Sequence, residues 1–239
     1  MRLPFRPTFW PTVFTVPAIL IMIGLAIWQV QRLHWKEGLI AERTARTTAA
    51  PIDLPPAGAD LTDLEFRRVA LTGTFDNAHE FYLAARSQNG NVGYWIVTPF
   101  KSDKGETVLI ERGWVPENKK LPDARPEGQV AGTVSLNGFI RRPQVKTFFQ
   151  PENEVQKNVW FYLDPKQMAE AANIPARTDL YLDADLAPNP GGFPIGGQTR
   201  INLPNDHLQY AITWALLALT LGAVYVIYHL KLERERGQR

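Results

Sequence analysis

Two apolar runs free of charged side chains, one near each end of the chain, constrain what it can fold into more than any other feature. Thr12 to Val30, TVFTVPAILIMIGLAIWQV, has nineteen residues and no Asp, Glu, Lys or Arg. Tyr210 to Leu230, YAITWALLALTLGAVYVIYHL, has twenty-one, with His229 its one group that titrates near neutral pH. At ~1.5 Å per residue each reaches roughly 30 Å, the thickness of the hydrocarbon core of a bilayer. Both are read as transmembrane helices, over residues 12–30 and 210–230. Pro17 falls near the start of the first, where a missing helical hydrogen bond costs least. A cleaved signal peptide fits poorly, because the run is long and continues into the bulky IWQVQRLHW with no small-residue cleavage pattern.

Two spans place both ends on one side. The tails, 1–11 and 231–239, hold Arg2, Arg6, Lys231, Arg234, Arg236 and Arg239. Residues 31–209 hold the other 20 of 26 Lys/Arg and 22 of 24 Asp/Glu, a net of −2. Basic ends stay cytoplasmic, and a loop this long crosses largely regardless of its charge. The expectation is a bacterial inner-membrane protein with cytoplasmic termini and a periplasmic domain, since the segment before the first span is short for mitochondrial targeting.

The middle divides into a helical extension with a linker, 31–50, and a domain, 51–209. Helical periodicity persists through QRLHWKEGLIAERTARTTA, and APIDLPPAGAD then breaks it as a stiff linker. From Glu65 the pattern alternates at period two in EFRRVALTGTF, HEFYLAA, GYWIVTPFK and ETVLIERGWV, then in GQVAGTVSLNGFIRR, NVWFYL and DLYLDA. One short helix, PKQMAEAANI, has Asp164 to cap it and Pro165 at its first position. The fold class is membrane α plus mainly-β: two terminal transmembrane helices flank an antiparallel, β-rich domain, a small barrel or curled sheet with one short helix.

The formal charge of +2 excludes a nucleic-acid binder driven by bulk charge. Having no cysteine removes disulfides, thiolate chemistry, zinc ribbons and covalent haem attachment, and three methionines make a poor copper carrier. NPGGFPIGGQTR lacks the Gly-Lys-Ser/Thr of a phosphate loop and reads as a mobile turn back to the membrane. Hydrolase motifs are missing, the carboxylates are scattered without a pair that stands out, and His79 reads as a surface residue. The chain is not expected to be an enzyme.

His207 lies just before the second span. On a helix it shares a stripe with Tyr210, Ala211, Trp214 and Ala218, beside a stripe of small residues, Ala211, Ala215, Ala218 and Gly222, suited to close helix packing. The outer end of the first helix offers Trp28, Arg32 and Trp35 at spacings of four and three. Antiparallel packing would set His207 level with Arg32 and His34. Such a cluster could hold a flat apolar molecule with carboxylates at one edge, as a haem is, with imidazole on iron and arginine on a propionate. The same residue types also anchor helices at membrane interfaces without binding anything.

The strings WQVQRLHWKEGLI, EFRRVALTGTF, GYWIVTPF with VLIERGWVP, FQPENEVQKNVWFYLD and GGFPIGGQTRINLPNDHLQYAITW resemble the surfeit locus protein 1 family of cytochrome oxidase assembly factors. Their order and spacing cover nearly the whole chain. The resemblance implies a role in maturing the haem-bearing subunit I of a terminal oxidase, with haem a as cargo received from haem a synthase. His207 matches the family's proposed haem-ligating histidine. Tyr210, Arg112, Gly113 and Trp114 match family positions without an evident chemical role. The alternative is a membrane scaffold that stabilises an oxidase assembly intermediate and binds no cofactor.

Overall fold

The computed structural model describes residues 6–199 and 203–238, which form two units, Met1–Glu42 with Asn202–Arg239, and Arg43–Ile201. The first unit is a helix pair. Helix α1, Phe9–Thr48, runs unbroken for 40 residues, roughly 60 Å, about twice a hydrocarbon core. The expected extension beyond residue 30 is therefore one helix with the span, and the chain breaks only after Thr48. Helix α3, His207–Gly237, starts three residues earlier than expected and continues past 230. Its last turn carries Arg234 and Arg236, where basic groups suit the exposed carbonyls. Both helices are long and apolar enough to cross a membrane. They meet along the small-residue stripe: Ala211 and Ala218 are buried, and a Cβ on Gly222 would touch Ile19.

Away from His207, the pair is tied by a residue that the sequence marked only as ionisable. His229 is fully buried; its Nδ1 donates to the Tyr225 carbonyl at 2.8 Å, and its Nε2 accepts from the Thr8 backbone N–H at 3.1 Å. The Thr12 and Tyr225 hydroxyls bond alongside at 2.6 Å. Polar groups in an apolar run are thus satisfied across the helix pair.

The second unit is built on one sheet. Its strands are β1 Arg68–Phe75, β2 Phe81–Gln88, β3 Asn91–Ser102, β4 Thr107–Pro116, β5 Val134–Arg141, β6 Val159–Trp160 and β7 Tyr181–Ala184. The order is β1-β5-β7-β4-β3-β2-β6, and β1 also pairs with the end of β3, so the sheet curls without being a clear barrel. The expectation of an antiparallel sheet needs correction: β4 with β7 and β2 with β6 are parallel. Parallel neighbours need a crossover. The excursion containing helix α2, Pro165–Ala172, provides it before β7. Asp164 caps α2 as its sequence indicates, accepting from the N–H groups of Lys166 at 3.0 Å and Gln167 at 3.2 Å. Asp164→Ala should cost about 1 kcal/mol in unfolding free energy, and chemical denaturation followed by circular dichroism checks it.

Strand β4 is buried along nearly its whole length, on both faces. Val108 and Ile110 pack with Val69, Phe100 and Leu182, whereas Leu109 packs with Leu83, Trp160 and Met168. Charged residues on β4 are therefore buried too, and that position sets their chemistry. The two segments expected to be a stiff linker and a mobile turn are both docked on the sheet unit. Ile52 and Leu54 pack on the core, and Arg177 donates to the Pro55 carbonyl at 2.9 Å, so the proline-rich linker lies on the sheet. In NPGGFPIGGQTR, Ile195 exchanges backbone hydrogen bonds with Trp114 at 2.9 and 2.8 Å. Gly113 makes this approach possible: its φ is +131°, and a Cβ would lie 2.0 Å from the Ile195 carbonyl oxygen. Arg200, at the end of that segment, lies outside the described residues.

Candidate functional site

The first turn of α3 carries His207, half-buried, and α1 carries Gln29 opposite it. His207 Nδ1 and Gln29 Oε1 are 2.7 Å apart. An amide oxygen only accepts, so Nδ1 is the donor, and a neutral ring then has its lone pair on Nε2. That nitrogen has no hydrogen-bond partner among the described residues. A fixed tautomer with one nitrogen available is the arrangement in which imidazole ligates a metal, the other N–H being held by a second group. Among the described residues no group of three or more His, Cys, Asp or Glu could hold a bare metal ion.

The other candidates do not gather round His207. Arg32 lies over the ring of Trp35, 3.7 Å from its centroid, and His34 bonds Glu37 at 3.3 Å. Trp28 and Tyr210 are 52% and 55% exposed, and Trp214 is partly buried. No hydrogen bond, ion pair or ring contact among the described residues joins Trp28, Arg32, Tyr210 or Trp214 to His207. The register is the reason. His207 meets Gln29, about a turn short of the level expected from Arg32 and His34, while Trp28 and Trp35 stay exposed on α1 and Arg32 covers the Trp35 ring. Gln29 had a signal in the sequence: it is the first amide inside a run otherwise almost wholly apolar. Next to His207, Leu208 lines a groove of about 440 Å³ with Ala26, Ile27, Val30, Ala211 and Ala215.

Inside the sheet unit two ionic clusters stand on β4. In the first, Arg125 grips both oxygens of Glu80, with Nη1 donating to Oε1 at 3.0 Å. Gln129 donates to the same oxygen at 3.1 Å, and Arg112 Nη1 stands 3.7 Å from it. Arg112 also donates to the Gly128 carbonyl at 2.6 Å and lies over the Phe75 ring. Burial, with Arg125 nearby, lowers the Arg112 guanidinium to about 10, while Glu80 holds it up.

In the second cluster, Glu111 and Asp183 sit opposite each other where β4 pairs with β7. The sequence shows no carboxylate pair because these two are 72 positions apart and become neighbours only through the crossover. Arg141 donates to the Asp183 carboxylate at 2.7 Å, and the Thr199 hydroxyl donates to the same oxygen at 2.8 Å. Burial, then Asp183, pushes the Glu111 carboxyl well above its ordinary range against the pull of Arg86 and Arg141. Asp183 is also raised by burial, although Arg141 and Thr199 restrain it. His79, by contrast, is exposed and bonds Asp76 at 2.6 Å, a surface residue as its sequence context indicates.

A curled sheet carried with two helices long and apolar enough to cross a membrane has the architecture of a membrane-anchored protein. The chain matches the SURF1 family over residues 16–219, and it belongs to that family of cytochrome oxidase assembly factors. It is 39% identical to Surfeit locus protein 1 of Takifugu rubripes, covering 80% of this chain and 85% of the fish protein. Identity with the human Surfeit locus protein 1 is 40%, over 80% of this chain and 68% of the human one. A SURF1-like protein of Monosiga brevicollis is 38% identical over 97% of this chain and 89% of its own length.

Proposed function

We propose that this protein holds haem a at His207 and presents it to subunit I of a terminal oxidase, receiving it from haem a synthase at the face of a bacterial inner membrane. The observation that carries the reading is the His207–Gln29 bond, which leaves Nε2 as the free lone pair on a ring of set orientation. Iron would supply the coordination bond, and the apolar groove beside Leu208 gives a hydrocarbon surface for the rest of such a cargo. One protein ligand suits a carrier, because cargo must leave again. Six basic residues in the two tails favour cytoplasmic termini and a periplasmic sheet domain.

Absorbance of protein purified from cells making haem a is the test. A Soret band is expected that His207→Ala abolishes or shifts while membrane insertion stays normal. Gln29→Ala, which frees the ring but keeps the ligand, should weaken retention about 10–100-fold, the usual effect of losing a metal ligand's orienting partner. An unchanged spectrum in His207→Ala, with normal oxidase assembly, would sink the haem site.

The scaffold reading has its own support in Phe148 and Phe149, each 92% exposed on the loop after β5. Colourless protein that still binds its client would favour it.

A further inference from the structure

The Glu80 cluster does not balance. One carboxylate faces two guanidiniums, Arg112 and Arg125, and all three side chains are only 1–2% exposed. Arg125 takes both carboxylate oxygens, while Arg112 stands off and its Nε has no partner among the described residues. A buried cation in surplus is costly unless a counter-charge reaches it. Arg112 lines a cavity of about 310 Å³, at the lower end of the range for ligand sites. Phe75, Val134, Leu136 and Leu186 give that cavity apolar walls, and Asn137 adds an amide. Asp185 lines it too, but Arg68 engages its carboxylate at 3.0 Å, so Asp185 does not neutralise Arg112.

We infer that this cavity binds a small amphipathic anion, a carboxylate with a short apolar body, through the surplus charge of Arg112. The apolar walls take the body, and the guanidinium takes the carboxylate by charge-assisted hydrogen bonding. All of these residues belong to the sheet unit, so the site stands or falls independently of His207 and of haem.

The test is calorimetric titration of the full-length protein in lipid nanodiscs, with empty nanodiscs as the blank. Hexanoate is the probe; hexanol, hexylammonium and inorganic phosphate are the comparisons. Hexanoate should bind at least tenfold more tightly than hexanol, and hexylammonium should not bind. Arg112→Met leaves Glu80 and Arg125 matched one to one and should erase the preference for the anion. Ala187→Trp fills the cavity from an exposed loop without touching any charge, and should weaken hexanoate at least tenfold. Should Arg112→Met fail to fold, Ala187→Trp decides alone. Equal binding of hexanoate and hexanol, or hexanoate binding untouched by the cavity-filling change, overturns the site. Phosphate binding as tightly as hexanoate overturns the amphipathic class.

Discussion

Glu80→Ala is expected to destabilise the sheet domain by about 3–5 kcal/mol, the cost of removing one partner from a buried ion pair. The carboxylate is nearly inaccessible, and its removal leaves the buried guanidiniums of Arg125 and Arg112 facing each other without their counter-charge. Two further supports go with it, since Gln129 loses its acceptor and Arg125 loses both of its carboxylate bonds. For a domain of this size a loss of 1 kcal/mol lowers the melting temperature by roughly 2–4 °C, so a fall of about 6–20 °C is expected. Near-ultraviolet circular dichroism on heating reads it. Lys146→Ala, which breaks an ion pair with an exposed Glu152, should change stability by less than about 1 kcal/mol and serves as the reference. Similar losses from the two changes would mean that the Glu80 cluster is solvated in solution.

The second large effect is a dependence on pH carried by Glu111 and Asp183. Both carboxyls are raised in the folded protein, so it keeps protons that the unfolded chain releases near the ordinary values of 4.5 and 3.8. Between those values and the raised folded ones, the folded state binds more protons than the unfolded state. Stability therefore falls as pH rises through this window, and the loss is complete once the folded pair has ionised. Glu111→Gln keeps an N–H donor beside Asp183 and has no proton to lose. It should flatten this slope and stabilise the domain at pH 8 by about 1–3 kcal/mol, the typical penalty of an ill-satisfied buried polar group. Denaturant midpoints at pH 5, 6.5 and 8 check it. A slope unchanged in Glu111→Gln would show that other groups carry the pH dependence.

The two helices were legible in the sequence because their signal is local. A charge-free run of about twenty residues has few ways to satisfy its backbone outside a helix, whatever else the chain does. The alternating strands, Asp164 as a cap and the small-residue stripe of α3 are local in the same sense. Each is written within a few residues, and each is found where those residues place it. Only tertiary structure decided which distant residues face each other. The helix register joins His207 to Gln29 and leaves Arg32 on Trp35. The crossover through α2 makes β7 parallel to β4 and thereby pairs Glu111 with Asp183. Burial of β4 on both faces turns Arg112, which has no evident chemical role in ERGWV, into a buried charge in surplus. Local periodicity reports which side of an element is apolar. The energy of a buried charge depends on what stands opposite it, and that partner is chosen by strand order and helix register rather than by neighbours in the chain.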